Sequence, residues 1–527
     1  MQRKEAHFGR IMRCYADRPA NVWQRLAAIM AANASAVAVV ENGEELTYGR
    51  LDSESASLAN WLANAGVGQG DRVAVMLNNG ADAVRAVVAI VRLGAVLVAL
   101  GTRSRAGELS HFFADAEPSA VIHGPEFTSE LEKAEGLPRC RLDVSRADWR
   151  AALAAGAMAP IIGDIREEAT FALLYTSGTT GRPKGAMLSH LGVVHSCMHW
   201  REAFDLGDNE ATLFCVPWAH VSGLCGVLMP FLFQGAKLVM MPEFNRHEAL
   251  RLARDHAITH ALMVPAMYGL LLLEPDLADF KLASWRIAAY GGAPMPEATI
   301  ERFAQAFPDL AMCNAYGATE TTSPATIMPP GEGTTHADSI GRVVACGDIR
   351  VMDEAGREVP AGENGEFWIA GPMVSPGYWR SPEATKKAFE GGYWRSGDIG
   401  SVDADGYVRI ADRKKDMIIR GGFKVYPAEV ENVITAMTGV TEVAVVGRPD
   451  PLLDEEVIAF VSNPDCSITD RAVREWCAAR LSDYKVPAVV KVECDPLPRN
   501  ANGKIQKAPL RDRALALPAT QRLEADA

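Results

Sequence analysis

Residues 71–100 set the rhythm of the first part of the chain. RVAVML (72–77) is a short apolar run, ADAVRAVVAIVRLG (81–94) spaces its apolar positions for a helix and ends on Gly94, and AVLVAL (95–100) is apolar again. Runs of this kind predict buried strands, and the segment between them predicts a helix. The alternation recurs in PSAVIHG (118–124), FALLYTSG (171–178), TLFCVPW (212–218), AKLVMM (236–241), HALMVP (260–265) and WRIAAYGG (285–292), with helical spacing between most of them. Strand–helix–strand repetition predicts a layered α/β fold with largely parallel sheets. Gly- and Thr-rich turns fall just after strand ends, where open α/β sheets bind ligands.

The texture changes past residue 340. IRVMDEAGREVPAGENGEFWIAGP (349–372) alternates polar and apolar positions around two turn signals, which predicts short antiparallel strands. YVRIADRKKDMIIRGGFKVYPAEVENVI (407–434) is a charged, Gly-containing connector that leads into a helix. Beyond it VTEVAVVGRPD (440–450), EEVIAFVS (455–462), a helix over 468–481 and PAVVKVE (487–493) predict a compact α+β unit, with the boundary near 411–415.

Composition narrows the function. A chain of 527 residues exceeds one ordinary core, so two to four domains or subdomains are expected. The net charge of −13, from 53 basic and 66 acidic residues, argues against general nucleic-acid binding. Ten Cys form no C-x-x-C pair and no zinc spacing, which predicts free thiols in a reducing compartment. The N-terminus lacks an apolar core of signal-peptide length, and no apolar run reaches the roughly 18 residues of a membrane span. A cytoplasmic enzyme without stable membrane insertion is the expectation.

Five stretches carry candidate chemistry. YTSGTTGRPKG (175–185) follows an apolar strand, and its small residues let backbone N–H groups turn toward an anion. It is not the P-loop of nucleotidases: Pro183 precedes Lys184, Gly185 follows it, and no Ser or Thr is placed there for magnesium. In NAYGATETT (314–322), Tyr316 can stack on a purine, Thr319 can donate to a phosphate and Glu320 can hold Mg2+. In YWRSGDIG (393–400), Asp398 can accept both hydroxyls of a ribose. DRKKD (412–416) and PRNANGKIQK (498–507) complete the set, the latter a turn ending in Lys504. Each has a plain structural alternative, from a connector loop to a solvated surface lysine.

Taken in order, and with LTYGRLD (46–52), PWAHVSG (217–223), AYGGAPM (289–295), GYWRSPEAT (377–385) and IADRKKDMIIRGGFKVYPAEVE (410–431), these stretches resemble the adenylate-forming superfamily over about residues 22–510. The type resembled is the acyl- and aryl-CoA synthetases. The resemblance implies an N-terminal adenylation domain over 1–411 with a small distorted barrel, a hinge at 412–416 and a small mobile α+β domain over 417–527. It implies ATP, Mg2+ and CoA. Thr176, Ser177, Gly178, Thr179, Thr180 and Gly181 would wrap the β- and γ-phosphates, with Lys184 as a supporting contact and Thr176 also near the metal. Gly291, Gly292, Ala293 and Pro294 would form the adenine slot with Tyr316, and Asn314, Ala315 and Gly317 would line it. Thr319 would touch the α-phosphate, Glu320 the metal, and Asp398 the ribose with Arg413 nearby. Lys504 would reach the carboxylate and α-phosphate, where a cation stabilises the approach of two anions. Lys415 would be the hinge, and Gly421, Gly422, Phe423 and Lys424 would border the pantetheine tunnel. His220, with Val221 and Gly223, would stand at the junction of carboxylate pocket and tunnel.

The same resemblance shapes the substrate. Peptide-synthetase relatives usually carry an Asp where this chain has Val221, so a buried substrate amino group would lack a partner. The neighbouring segments HVSGLCGVLMP (220–230) and GATETTSPA (317–325) are apolar or small, which suits an aliphatic or aromatic acid of unread length. Only 23 residues follow Lys504, too few for a carrier domain, so CoA is the expected acceptor and a separate acyl-carrier protein the alternative. The expected partners are these small molecules, and a homodimer is left open. A phosphotransferase built on Lys184 lacks its motif, and a binding-only relative would not be expected to keep Lys504, Glu320 and Asp398.

Overall fold

A computed structural model describes residues 1–154, 156, 163–176, 183–207, 209–421, 423–499 and 505–517. Two compact units divide the chain. The first comprises Met1–Ile349, Trp368–Arg395 and Gly406–Val408, and the second Arg350–Phe367, Ser396–Asp405 and Arg409–Ala527.

Two sheets build the first unit. One has six strands in the order Lys184–Ser189, Thr170–Thr176, Val96–Ala99, Arg72–Met76, Ala120–His123, Cys140–Asp143. All its neighbours are parallel except the first pair. The other has nine strands, and its six central ones, Ala311–Tyr316, Ile287–Tyr290, His260–Met263, Ala211–Phe214, Lys237–Met240 and Val37–Glu41, are parallel. The apolar runs anticipated from sequence are these strands. The helix Ala81–Arg92 packs against strands of both sheets, which explains why its apolar residues are not confined to one stripe. A feature not anticipated is an antiparallel hairpin of Gln2–His7 and Arg10–Tyr15.

The expected antiparallel segment appears as short strands, Asp348–Met352, Gly365–Ala370, Phe389–Glu390, Tyr393–Val402 and Val408–Arg413, the half-barrel-like part of the fold.

In the second unit, Glu442–Asp450 and Asp454–Ser462 form a long antiparallel pair, and Val489–Glu493 adds in parallel. Alternate residues feed two cores. Val445, Val457, Ala459 and Val461 pack with Val430, Ile434, Val473 and Cys477. Ala444, Val446, Ile458 and Phe460 pack with Leu510 and Ala514. Both faces of the pair are therefore covered, which is why VIAFV (457–461) is apolar without alternation.

One expectation is corrected. The ten Cys are not all free thiols, because Cys466 is bonded to Cys494. The parallel register places Ser462 opposite Glu493, so chain positions just beyond the two strand ends meet although 28 residues separate them. The other eight are free; Cys140 is half-buried and the rest are buried. Among the described residues, no helix is long and apolar enough to cross a membrane.

Candidate active site

The candidate residues of the first unit gather at the C-terminal ends of strands from both sheets, as expected for an open α/β layer. Strand Thr170–Thr176 ends on Thr176, and Lys184 opens the returning strand directly opposite it. Ser177, Gly178, Thr179, Thr180 and Gly181, between them, lie outside the described residues. In the second sheet Tyr290 is level with Asn314 on the neighbouring strand. The chain then runs through Gly291, where an added Cβ would lie 2.4 Å from the Ala315 carbonyl oxygen. Only glycine permits that approach. Gly292, Ala293 and Pro294 are exposed just past the strand end, while Asn314, Tyr316 and Gly317 are half-buried and Ala315 is buried.

A short 3-10 turn, Thr319–Thr321, follows and presents Glu320. Its carboxylate is buried and accepts a hydrogen bond from the Tyr378 hydroxyl at 2.7 Å and from Thr176 Oγ1 at 3.5 Å, both on Oε1. Thr319 is half-buried beside it. The Lys184 ammonium lies 5.4 Å from the centre of the Tyr378 ring, a cation–π distance. Burial, with the adjoining Glu320 carboxylate, pushes the Tyr378 phenol well above its ordinary value, so the hydroxyl is a donor at physiological pH. A carboxylate with a threonine hydroxyl beside it is a hard-oxygen donor set of the kind Mg2+ takes.

His220 is half-buried and precedes the single turn Val221–Gly223. Its segment is tied to the first sheet: Asn79 accepts from the Trp218 N–H at 2.9 Å and donates to the Val216 carbonyl at 2.8 Å. An added Cβ on Gly223 would lie 2.1 Å from the Pro217 carbonyl oxygen, so the turn requires glycine. An apolar cavity lies close by in sequence, between Gly226, Trp200, Phe204, Phe231, Leu262 and Ala289.

The other candidates belong to the second unit. Asp398 is buried and forms an ion pair with Arg413 at 3.1 Å, while its own N–H donates to Ser396 Oγ at 3.0 Å. Lys415 is exposed, and its carbonyl accepts from Arg511 at 3.4 Å. Asp412, at the start of the same basic run, accepts from the Ala428 N–H at 2.8 Å, and burial raises its pKa. Gly421 has a φ of +56°. Phe423 is exposed and stacks on Tyr484 with ring centres 4.7 Å apart, and Lys424 pairs with Glu354 at 3.3 Å. Gly422 and Lys504 lie outside the described residues.

Tyr378 was legible only as part of the GYWRSPEAT motif; nothing local indicates a partner 58 residues upstream. A second group of metal-type ligands, Glu5, His7 and Cys14, has its ligand atoms within 4.8 Å of one another. Arg18 already takes both Glu5 oxygens, at 2.9 and 2.6 Å, and its cation opposes a metal there.

Comparison with known proteins shows the family and the fold. The AMP-binding enzyme model matches residues 26–379, and the AMP-binding enzyme C-terminal domain model matches residues 429–504. The chain is 36% identical over 479 residues to a feruloyl-CoA synthase of an Amycolatopsis species, covering 91% of this chain and 96% of that protein. It is 33% identical over 476 residues to a long-chain-fatty-acid–CoA ligase of Mycobacterium tuberculosis, covering 89% and 93%. Among solved structures, ATP-bound MatB from Rhodopseudomonas palustris superposes with a TM-score of 0.87 at 32% identity, covering 94% of this chain and 99% of that one.

Proposed function

The chain belongs to the AMP-binding enzyme family, and from that premise we propose how its own residues divide the work. The reaction is the AMP-forming ligation of a carboxylic acid to coenzyme A with ATP and Mg2+. The acid attacks the α-phosphate to give an acyl-adenylate and pyrophosphate, and the CoA thiol then displaces AMP to leave a thioester.

Glu320 and Thr176 would hold Mg2+, which would supply positive charge against the pyrophosphate. Thr319 contacts the α-phosphate, Ser177, Gly178, Thr179, Thr180 and Gly181 the outer phosphates, and Lys184 supports them. Gly291, Gly292, Ala293 and Pro294, with Asn314, Ala315, Tyr316 and Gly317, take the adenine. Asp398 takes the ribose with Arg413 beside it. Lys504 stabilises the adenylation transition state. Lys415 is the hinge on which residues 417–527 turn relative to 1–411 between the half-reactions, and Gly421, Gly422, Phe423 and Lys424 border the thiol's path. His220, Val221 and Gly223 border the acid. The observation that carries this reading is the buried Glu320 carboxylate within 3.5 Å of Thr176 at the strand ends.

The acid is apolar, aliphatic or aromatic. Val221 supplies no anion for a substrate amino group, and the neighbouring segments HVSGLCGVLMP (220–230) and GATETTSPA (317–325) are apolar or small. The enzyme is expected in the cytoplasm, and light scattering tests for a homodimer.

A panel of carboxylic acids assayed for pyrophosphate release, then for CoA-dependent AMP release, tests the proposal. A phosphopantetheinylated carrier protein is offered in parallel. Lys504→Ala is expected to lose adenylation by at least about a hundredfold, the scale of one preorganised electrostatic contact. It should still convert supplied acyl-adenylate and CoA to thioester. Equal adenylation by variant and wild type would remove Lys504 from the reaction.

A further inference from the structure

Backbone contacts fix where Tyr378 can point. Ala186 and Tyr378 form an antiparallel bridge, so the segment 375–379 lies along strand Lys184–Ser189. The Met187 N–H donates to the Gly377 carbonyl at 3.1 Å, and the Trp379 N–H donates to the Gly185 carbonyl at 2.7 Å. On the other flank the Tyr378 N–H donates to Thr385 Oγ1 at 3.0 Å. Gly377 has a φ of +150°, and an added Cβ would lie 2.5 Å from the Thr385 side chain. The Ser375 N–H also donates to the Glu320 carbonyl at 2.8 Å, so the backbone of the tyrosine segment is tied to the 3-10 turn itself.

From this frame the Tyr378 side chain does two things at once. Its hydroxyl reaches Glu320 Oε1 at 2.7 Å, and its ring sits beneath the Lys184 ammonium at 5.4 Å. We propose that Tyr378 is a positioning residue: its hydroxyl fixes the Glu320 carboxylate that would receive Mg2+, and its ring seats Lys184 beside it. The inference rests on the assignment of Glu320 to the metal. It adds a physical link between two motifs whose members Thr176 and Glu320 are 144 residues apart: the loop proposed to contact phosphate and the carboxylate proposed to hold the cation share one aromatic ring.

A carboxylate bonded to a phenol at a fixed distance loses little orientational freedom when the cation arrives. Without the phenol, the shorter of the two described hydrogen bonds that order the carboxylate is lost, at the expense of metal affinity. The step affected is cation and phosphate binding rather than the later transfer to CoA.

Tyr378→Phe removes one oxygen and keeps the ring, and thermal melting reports whether the fold is retained. Manganese binding to the enzyme–ATP complex is titrated by electron spin resonance without any carboxylic acid, so no turnover contributes. The expected result is metal affinity weakened about tenfold, the scale of a hydrogen bond to a charged group. In the steady state the magnesium requirement should rise by the same factor, with kcat at saturating magnesium falling less. In a Glu320→Gln background, Tyr378→Phe should add nothing further. Tyr378→Leu should add a weakening of ATP binding that Tyr378→Phe lacks, because it removes the seat of Lys184. If Glu320→Gln weakens manganese binding but Tyr378→Phe does not, the positioning role is overturned and the metal assignment stands. If Glu320→Gln itself leaves manganese affinity unchanged, both fall.

Discussion

Gly291 has almost no room to change. A Cβ there would sit 2.4 Å from the Ala315 carbonyl oxygen, and the neighbour is backbone, which cannot swing aside. Gly291→Ala must push apart the ends of two parallel strands that carry the proposed adenine slot. The expected outcome is a destabilisation of about 1–3 kcal/mol, the usual range for overpacking, together with clearly weaker binding of a fluorescent ATP analogue. Gly292 makes the contrast. Nothing lies within 4 Å of its Cβ position, but its φ is +79°, so Gly292→Ala strains the backbone without a collision and costs about 1–2 kcal/mol. The glycines of AYGGAPM were visible in the sequence as a motif. Why each is glycine was not, because the Ala315 carbonyl that crowds Gly291 comes from another strand.

The helix His190–Phe204 shows what burial does to a whole element. Eleven of its residues are buried, including His190, His195 and His199. The His190 ring nitrogen accepts from the Val22 N–H at 3.3 Å, and His195 accepts from the Tyr15 N–H at 3.2 Å while its other nitrogen meets the Leu191 carbonyl at 2.8 Å. These partners require neutral rings. Burial pushes the three pKa values down to about 4, about 4 and about 3, from an ordinary 6.5. Because the unfolded chain binds these protons first, their effect on stability is nil above pH 6.5. It becomes a loss as pH falls from 6.5 toward 4, with a slope of up to about 1.4 kcal/mol per pH unit for each histidine. Glu210, held down to about 2 by hydrogen bonds from His260 and Thr259 that outweigh its burial, contributes loss only below pH 4.5 and so leaves this window clear. Urea denaturation at pH 7.5, 6.5 and 5.5 is expected to show flat stability in the first interval and a fall in the second. His199→Phe should reduce that fall, since among the described residues the His199 ring nitrogens have only a backbone contact with Ala345, short of normal hydrogen-bond geometry, to lose. A stability unchanged between pH 6.5 and 5.5 would contradict the buried, neutral assignment.

At the scale of the whole molecule, the second unit has a cross-link that the first lacks among the described residues. Cys466 and Cys494 close a loop of 28 residues, and closing a loop of that size in the unfolded chain is worth about 3–4 kcal/mol on the chain-entropy account. Both cysteines are exposed, so a reductant has access. Melting with and without dithiothreitol is expected to lower the transition of the second unit. The double variant Cys466→Ser, Cys494→Ser should melt low and ignore the reductant. The same lesson applies to the candidate site. Apolar runs of four to seven residues and Gly-rich turns are local signals, so the sequence by itself determined the parallel layers, the α+β C-terminal unit and the order of the motifs. Hydrophobic periodicity reports which way a residue faces, never which distant residue it meets. That depends on register between strands, and register is settled only when the whole core packs. The tertiary structure alone therefore decided that Tyr378 reaches Glu320, that Lys184 lies over the tyrosine ring, and that two cysteines without a recognisable spacing are joined.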